Sequence, residues 1–324
     1  MDDELESTWT GMLPVTLPSQ SEAAAAPKSG MHRLARQGEI ARGGMVTVSA
    51  AFDPVLRRHV ALKENLRSRA PTAERRFVNE ALITAQLDHP YIVPVYDGTL
   101  LPDADGKMAY TMKLVQGVTL TEVLRRSKAA RARGSAPPDL GLPALLDHFL
   151  KLCDAVAYAH ERGVVHRDIK PDNVMIGPHG EVYLMDWGLA GVSGADESIS
   201  VAARDMTLPG YAIGTPAYMA PEQALGQTMG PSVDQFALGL ILHEMLGAGR
   251  PRESRGDLQG DLEQAAQGRV ERIQAIAKEK LPRELVGIAT KTLHPQPAQR
   301  YATVEALADD IRRYRANRAV LAAP

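Results

Sequence analysis

The sequence predicts an α+β fold of two lobes, a small β-rich lobe with one main helix followed by a larger, mostly helical lobe. Three observations lead there. β-Branched and apolar residues fill 46–52 and 59–64 on either side of Asp53-Pro54, the pattern of a hairpin. Phe77, Glu80, Ile83 and Leu87 stand at helical spacing. After Gly117 the apolar period is mostly helical, and 324 residues suffice for two separate cores.

Taken in order, residues 1–30 mix acidic side chains, Pro14, Pro18, Pro27 and an alanine run without any apolar period, which predicts a disordered tail. The organised region is expected over 31–316, with the first lobe at 31–115, the second at 116–316 and a short tail at 317–324. Within the first lobe, strands are expected at 46–52, 59–64, 92–96 and 107–115, the last two parted by Asp105-Gly106, with a helix over 72–87 after Pro71. In the second lobe the basic, proline-containing stretch 131–138 reads as a mobile loop, and short strands are expected at 174–176 and 182–185.

Composition excludes several classes. The formal net charge of -2 gives no sign of nucleic acid or an anionic membrane as partner. Met1-Asp2-Asp3-Glu4-Leu5-Glu6 is acidic where a secretory signal is basic, and the apolar run 236–246 is too short for a membrane span and holds His243 and Glu244. One cysteine, Cys153, rules out an intramolecular disulfide and falls on the apolar stripe Leu146, Phe149, Leu150, Val156, Ala157, so burial is expected. A reducing cytoplasmic setting fits.

The chemistry concentrates in His166-Arg167-Asp168-Ile169-Lys170-Pro171-Asp172-Asn173 and in Asp186-Trp187-Gly188. Moving a phosphoryl group from ATP to a hydroxyl needs alignment and charge neutralisation more than covalent help. Asp168 offers a base for the hydroxyl proton, and Lys170, two residues on, a cation for the transferring phosphate. Asn173 and Asp186 offer hard oxygens suited to Mg²⁺, with Mn²⁺ an alternative.

These motifs resemble those of the protein kinases, in particular the eukaryotic-like Ser/Thr kinases of bacteria, over roughly residues 32 to 316. Val60-Ala61-Leu62-Lys63 resembles the strand whose lysine anchors ATP, and the resemblance implies Ala61 at the adenine, Lys63 on the α- and β-phosphates and Glu80 as the lysine's partner. Tyr110-Thr111-Met112-Lys113-Leu114-Val115 resembles the hinge, with Met112 behind adenine and the backbone from Lys113 to Val115 bonding it; Met175 is implied among the ATP-binding residues. Gly214-Thr215-Pro216-Ala217-Tyr218-Met219-Ala220-Pro221-Glu222 matches the end of an activation segment. There Thr215 is implied to meet Asp168 and Lys170, Glu222 to pair with Arg300, and Asp234 to open the helix beneath the catalytic loop. Lys170 with Thr215 implies Ser/Thr acceptors on protein substrates. Arg167 implies control by a phosphate among Ser193, Ser198, Ser200 and Thr207, with Thr207 preferred, and with self-association for autophosphorylation.

One motif departs. In place of a Gly-x-Gly-x-x-Gly-x-Val loop the chain has Ala41-Arg42-Gly43-Gly44-Met45-Val46-Thr47-Val48, keeping Gly43, Gly44 and the adenine-covering Val48 but losing glycine at 41 and 46. A valine forced to a left-handed φ costs roughly 1 to 2 kcal/mol, which would weaken ATP binding. An active Ser/Thr kinase and a pseudokinase scaffold of weak ATP affinity are therefore both carried forward. Small-molecule phosphotransferases of the same fold rank last, since they lack the 214–222 string.

Overall fold

The computed structural model describes residues 33–42, 46–65, 71–100, 107–192 and 214–322. The expected tail at 1–30, Gly43, Gly44 and the hydroxyls of Ser193, Ser198, Ser200 and Thr207 lie outside them. The chain forms two compact units, Met1–Glu74 with Pro94–Gly117 and Arg75–Val93 with Val118–Pro324.

The first unit is an antiparallel five-stranded sheet in the order β1-β2-β3-β5-β4. Its strands are β1 (Ala35–Arg42), β2 (Val46–Asp53), β3 (Arg58–Asn65), β4 (Val95–Thr99) and β5 (Ala109–Lys113). At the Asp53-Pro54 hairpin, Asp53 Oδ1 accepts the N–H groups of Val55 at 3.0 Å and Leu56 at 3.2 Å, while Arg33 pairs with its other oxygen. Residues opposite one another in an antiparallel ladder share a face, as do residues two apart. The pairs Ala51↔Val60 and Ser49↔Leu62 put the apolar core on one face, where Leu34 and Ala109 join it. The pairs Ala41↔Val48, Val48↔Lys63 and Ala61↔Met112 gather five expected site residues on the other.

Three features differ from expectation. β4 covers Val95–Thr99 rather than 92–96, because Pro94 has no N–H to enter the ladder; its carbonyl accepts from Lys113 N, and Ile92 bridges to Leu184 instead. β5 is shorter than 107–115 at both ends. Val46 is an ordinary β2 residue opposite Asn65 and is absent from the described residues of positive φ, so the strain expected at this position does not arise.

The second unit begins within α1 (Pro71–Gln86), whose Phe77, Glu80, Ile83, together with Leu87 just beyond it, are buried as their spacing predicts. It continues with β6 (Val118–Thr119), α2 (Leu120–Ala132), α3 (Leu142–Glu161), β7 (Val164–Val165), β8 (Val174–Ile176), β9 (Val182–Leu184), β10 (Gly191–Val192), α4 (Pro221–Ala224), α5 (Ser232–Leu246), α6 (Leu258–Ala266), α7 (Arg283–Thr292) and α8 (Val304–Arg315). Thr119, Asp257 and Thr303 cap α2, α6 and α8 through side-chain oxygens that accept the N–H three residues on. Residues from Val233 to Leu246 are all buried, making α5 a core helix against which α3 and α7 pack. Leu145, Phe149, Leu152, Cys153 and Val156 supply the α3 side of that core, and burial raises the Cys153 thiol pKa well above normal.

The loop expected at 131–138 is a shorter turn. α2 runs to Ala132, and Arg131 is buried, donating to Glu279 at 2.6 Å and to the Met245 carbonyl at 2.6 Å. At the far end, Asp310 is fully buried and accepts Tyr301 Oη and the N–H groups of Leu321 and Ala322, which ties 321–322 to α8. No helix among the described residues is long and apolar enough to cross a membrane.

Candidate active site

β7 emerges from α3 through Gly163 and pairs with β10, and β8 pairs with β9, so the two motif-bearing loops hang from short paired strands. The N–H of Met185 donates to the Asn173 carbonyl at 2.9 Å, fastening one loop to the other. His166 is buried between them. Its Nε2–H donates to the Met185 carbonyl at 3.0 Å, its Nδ1 accepts from Asp168 N at 3.2 Å, and its ring centroid lies 4.5 Å from that of the buried Trp187. Those two bonds fix the tautomer.

Four donors surround the Asp168 carboxylate. Thr215 N and Thr215 Oγ1 donate to Oδ1 at 3.0 and 2.9 Å, and Lys170 Nζ donates to Oδ2 at 2.7 Å. Asn173 Nδ2 adds a long contact of 3.3 Å to Oδ2 besides its 2.9 Å bond to the Asp168 carbonyl. Lys170 Nζ also donates to Thr215 Oγ1 at 2.8 Å, closing a ring of charge, hydroxyl and carboxylate. A carboxylate has about four lone-pair sites, so an incoming hydroxyl must take the place of a donor, and the 3.3 Å Asn173 contact is the weakest.

With Nδ2 committed to Asp168, Asn173 keeps Oδ1 as an oxygen donor. The exposed Asp186, held at φ +63°, contributes a carboxylate whose Oδ1 faces Gly188. Two hard oxygens fit a divalent ion that takes its remaining ligands from phosphate and water. Glu80 Oε2 also faces Gly188, so α1 brings a buried carboxylate to this loop.

Asp234 secures the loop from below. It is 1 % exposed in the first turn of α5 and accepts the N–H groups of His166 and Arg167, each at 2.8 Å, and His160 Nε2–H at 2.7 Å. Burial alone would raise this carboxyl's pKa, but the His160 hydrogen bond, the imidazoles and the Arg167 N–H outweigh it and hold it below the usual aspartate value. His160 escapes the motif reading, although it continues the Cys153, Val156, Ala157 stripe by one turn and so marks a polar group on a buried face. Gln223 escapes it too; its amide donates to the Arg167 carbonyl at 2.6 Å. Gly214, at φ +124°, passes where a Cβ would meet Gln223 Nε2 at 2.9 Å.

Arg167 has φ +68°, and its side chain lies where a Cβ on Gly191 would come within 1.9 Å of Cζ. Burial lowers its guanidinium pKa, opposed only by Asp234, and Nε has no partner among the described residues. Further out, Arg300 donates to Glu222 at 2.6 and 2.9 Å. The expected nucleotide residues divide: Ala41, Val48, Ala61, Lys63 and Met112 share the sheet face described above, Lys113 ends β5, and Val115 lies beyond it. Met175, half-buried, sits in β8 opposite Thr119 and Tyr183.

A loop-borne carboxylate bonded to lysine and threonine, beside two hard oxygens, is chemistry suited to phosphoryl transfer, and the sheet-plus-helical architecture narrows the class. The sequence profile of the protein kinase domain matches residues 34–311, and the chain belongs to that family. Among curated relatives it is 38% identical over 290 residues to the serine/threonine-protein kinase PknD of Protochlamydia amoebophila (strain UWE25), covering 85% of this chain and 29% of the relative. It is 37% identical over 291 residues to the PknD of Chlamydia pneumoniae, covering 84% and 30%. The chain thus spans about three-tenths of the length of the curated relatives it matches.

Proposed function

We propose that this chain is the catalytic domain of a serine/threonine-protein kinase that transfers the γ-phosphoryl group of ATP to Ser or Thr hydroxyls of proteins. The observation that carries the reading is the hydrogen-bonded ring of Asp168, Lys170 and Thr215. Asp168 accepts the proton of the acceptor hydroxyl as that hydroxyl's oxygen attacks the γ-phosphorus and the bond to the bridging oxygen breaks, releasing ADP, while Lys170 balances charge on the transferring group. Asn173 and Asp186 hold Mg²⁺, or Mn²⁺ in its place, and the ion when bound neutralises phosphate charge. Among the described residues no cluster of three or more His, Cys, Asp or Glu side chains offers an all-protein cage, which suits an ion shared with ATP. Ala61, Lys63, Val48, Ala41 with Gly43 and Gly44, Met112 to Val115 and Met175 receive the nucleotide, with Glu80 as the lysine's partner.

Arg167 supports control by a phosphate, because a buried guanidinium with an unpartnered Nε gains from an anion. Thr207, phosphorylated by a second copy of the chain, is the assigned source. Cytoplasmic residence accords with the buried, unreactive Cys153. The pseudokinase alternative rested on the degenerate loop, with Ala41 and Val46 in place of glycines; the regular β2 geometry removes the strain at Val46, and the relatives at 37 to 38% identity are serine/threonine-protein kinases.

The test is transfer of label from ATP, with Mg²⁺, to a generic basic protein, beside Asp168→Ala. Transfer by the wild type at least about a thousandfold above the variant is expected for loss of the base with its electrostatic partners. Equal label in the two samples would overturn the reading.

A further inference from the structure

Arg252 follows α5 by six residues and is 5 % exposed. No carboxylate pairs with it among the described residues. Its Nε donates to the Arg269 carbonyl at 2.9 Å, and its Nη1 to the carbonyls of Met219 at 2.7 Å and Pro216 at 3.1 Å. Cζ lies 5.2 Å from the Phe236 ring, and Nη2 is buried without a partner. Burial lowers the guanidinium pKa to about 10.

Such a placement is costly, since a cation taken from water without a counter-ion is repaid only by what it bonds. An apolar side chain of similar volume would fill the space against Phe236 at no desolvation cost. What only the guanidinium supplies is a fork of donors, and two of its three carbonyls bracket the turn at Pro216–Tyr218. That turn follows Thr215 directly, the residue whose N–H and hydroxyl both reach Asp168.

We infer that Arg252 is a positioning residue for the acceptor side of the site, clamping the carbonyls of Pro216 and Met219 so that Thr215 and the protein-binding stretch behind it keep one conformation. The inference rests on the kinase reading and on the resemblance of residues 214–222 to the end of an activation segment, which implies that the acceptor protein lies against them. It assigns Arg252 no contact with the reacting atoms.

The experiment uses the full chain, with Asp168→Ala as blank, and measures initial rates against both ATP and a serine-containing basic protein. Arg252→Phe keeps the volume and removes every donor; it should raise the KM for the protein acceptor about tenfold, as loss of charge-assisted hydrogen bonds implies. The KM for ATP should stay within about twofold, since the partners of Arg252 among the described residues are the Arg269, Pro216 and Met219 carbonyls and the Phe236 ring, none of them a nucleotide residue. Arg252→Lys, with one donor group, should recover part of the acceptor KM. A purely structural role would instead lower thermal stability and the active fraction while leaving both KM values alone, and an acceptor KM unchanged in either folded variant overturns the proposal. Should Arg252→Phe fail to fold, amide hydrogen exchange in Arg252→Lys decides: faster exchange over residues 215–220 is expected, and wild-type rates there refute the clamp. Failure of the kinase reading is distinct, because the wild type would then match the Asp168→Ala blank.

Discussion

Asp234 Oδ1 accepts the backbone N–H of Arg167 at 2.8 Å, at a residue whose φ is +68°. A left-handed arginine costs about 1 to 2 kcal/mol unless its surroundings fix it, and the same carboxylate holds His166 N through Oδ2. Both oxygens are needed. Asp234→Asn replaces one acceptor with an NH₂ that faces a backbone N–H, so the loop carrying Asp168 loses its setting. We expect kcat to fall by about 10- to 100-fold, equivalent to one lost charged hydrogen bond, with the KM for ATP little changed. Steady-state kinetics check this, and an unaltered kcat would show that the strained loop holds itself.

Arg300 spends its guanidinium on four partners. Two N–H groups reach Glu222, and others donate to the carbonyls of His294 at 2.8 Å, Ser232 at 2.8 Å and Pro295 at 3.0 Å. Removing one member of a buried pair leaves an uncompensated charge and costs about 3 to 5 kcal/mol. Glu222→Gln or Arg300→Met should therefore lower Tm by about 6 to 15 °C. Exchanging the two residues should not restore it, since a glutamate at 300 would face three carbonyl oxygens. A double variant melting like the wild type would show that the pair, and not the carbonyl set, governs this corner.

What was legible in the sequence was what is local in the chain. Asp168, Lys170 and Asn173 fall within one turn-rich stretch, and the structure brings their side chains together; the buried face of α1 follows from spacing. Partners far apart in sequence were not legible. Arg131 looked like the start of a basic loop because nothing nearby announces Glu279, 148 residues on, or the Met245 carbonyl. His160 and Arg252 were missed for the same reason: their acceptors, Asp234 and the carbonyls of Pro216 and Met219, come together only through packing around α5. The shift of β4 was within reach, since Pro94 cannot donate to a ladder.

Glu244, buried at the end of α5, accepts Tyr218 Oη at 3.0 Å. Burial raises its pKa above the ordinary glutamate value, and Lys128 and the Tyr218 bond only temper the rise. A carboxyl raised in the folded state binds its proton more tightly there than when unfolded. Its contribution to stability is thus complete below the unfolded pKa and is lost as pH rises through the folded one. Glu244→Gln keeps an acceptor for Tyr218 and removes the titration. Melting curves should show the variant gaining on the wild type as pH climbs from about 4.5 through the raised value, then a constant offset. A difference in Tm that does not vary with pH would mean that Glu244 ionises at no cost to the fold.

Val46 bears on nucleotide binding in the direction opposite to the one its motif position suggests. A valine where related loops carry glycine implies relief of strain by Val46→Gly, hence tighter ATP binding. Yet Val46, in β2 opposite Asn65 of β3, is absent from the described residues of positive φ and stands two residues before Val48 on the same face. With no strain to relieve, glycine there removes a β-branched side chain from a strand and adds backbone freedom, a cost of about 0.5 to 1 kcal/mol. If that freedom must be surrendered when ATP binds, the KM for ATP should rise about two- to fivefold, and the kcat at saturating ATP should hold. Initial rates over a range of ATP concentrations measure both. A KM that falls on this substitution would mean that close approach of the backbone to phosphate, and not order in the strand, limits binding at this position.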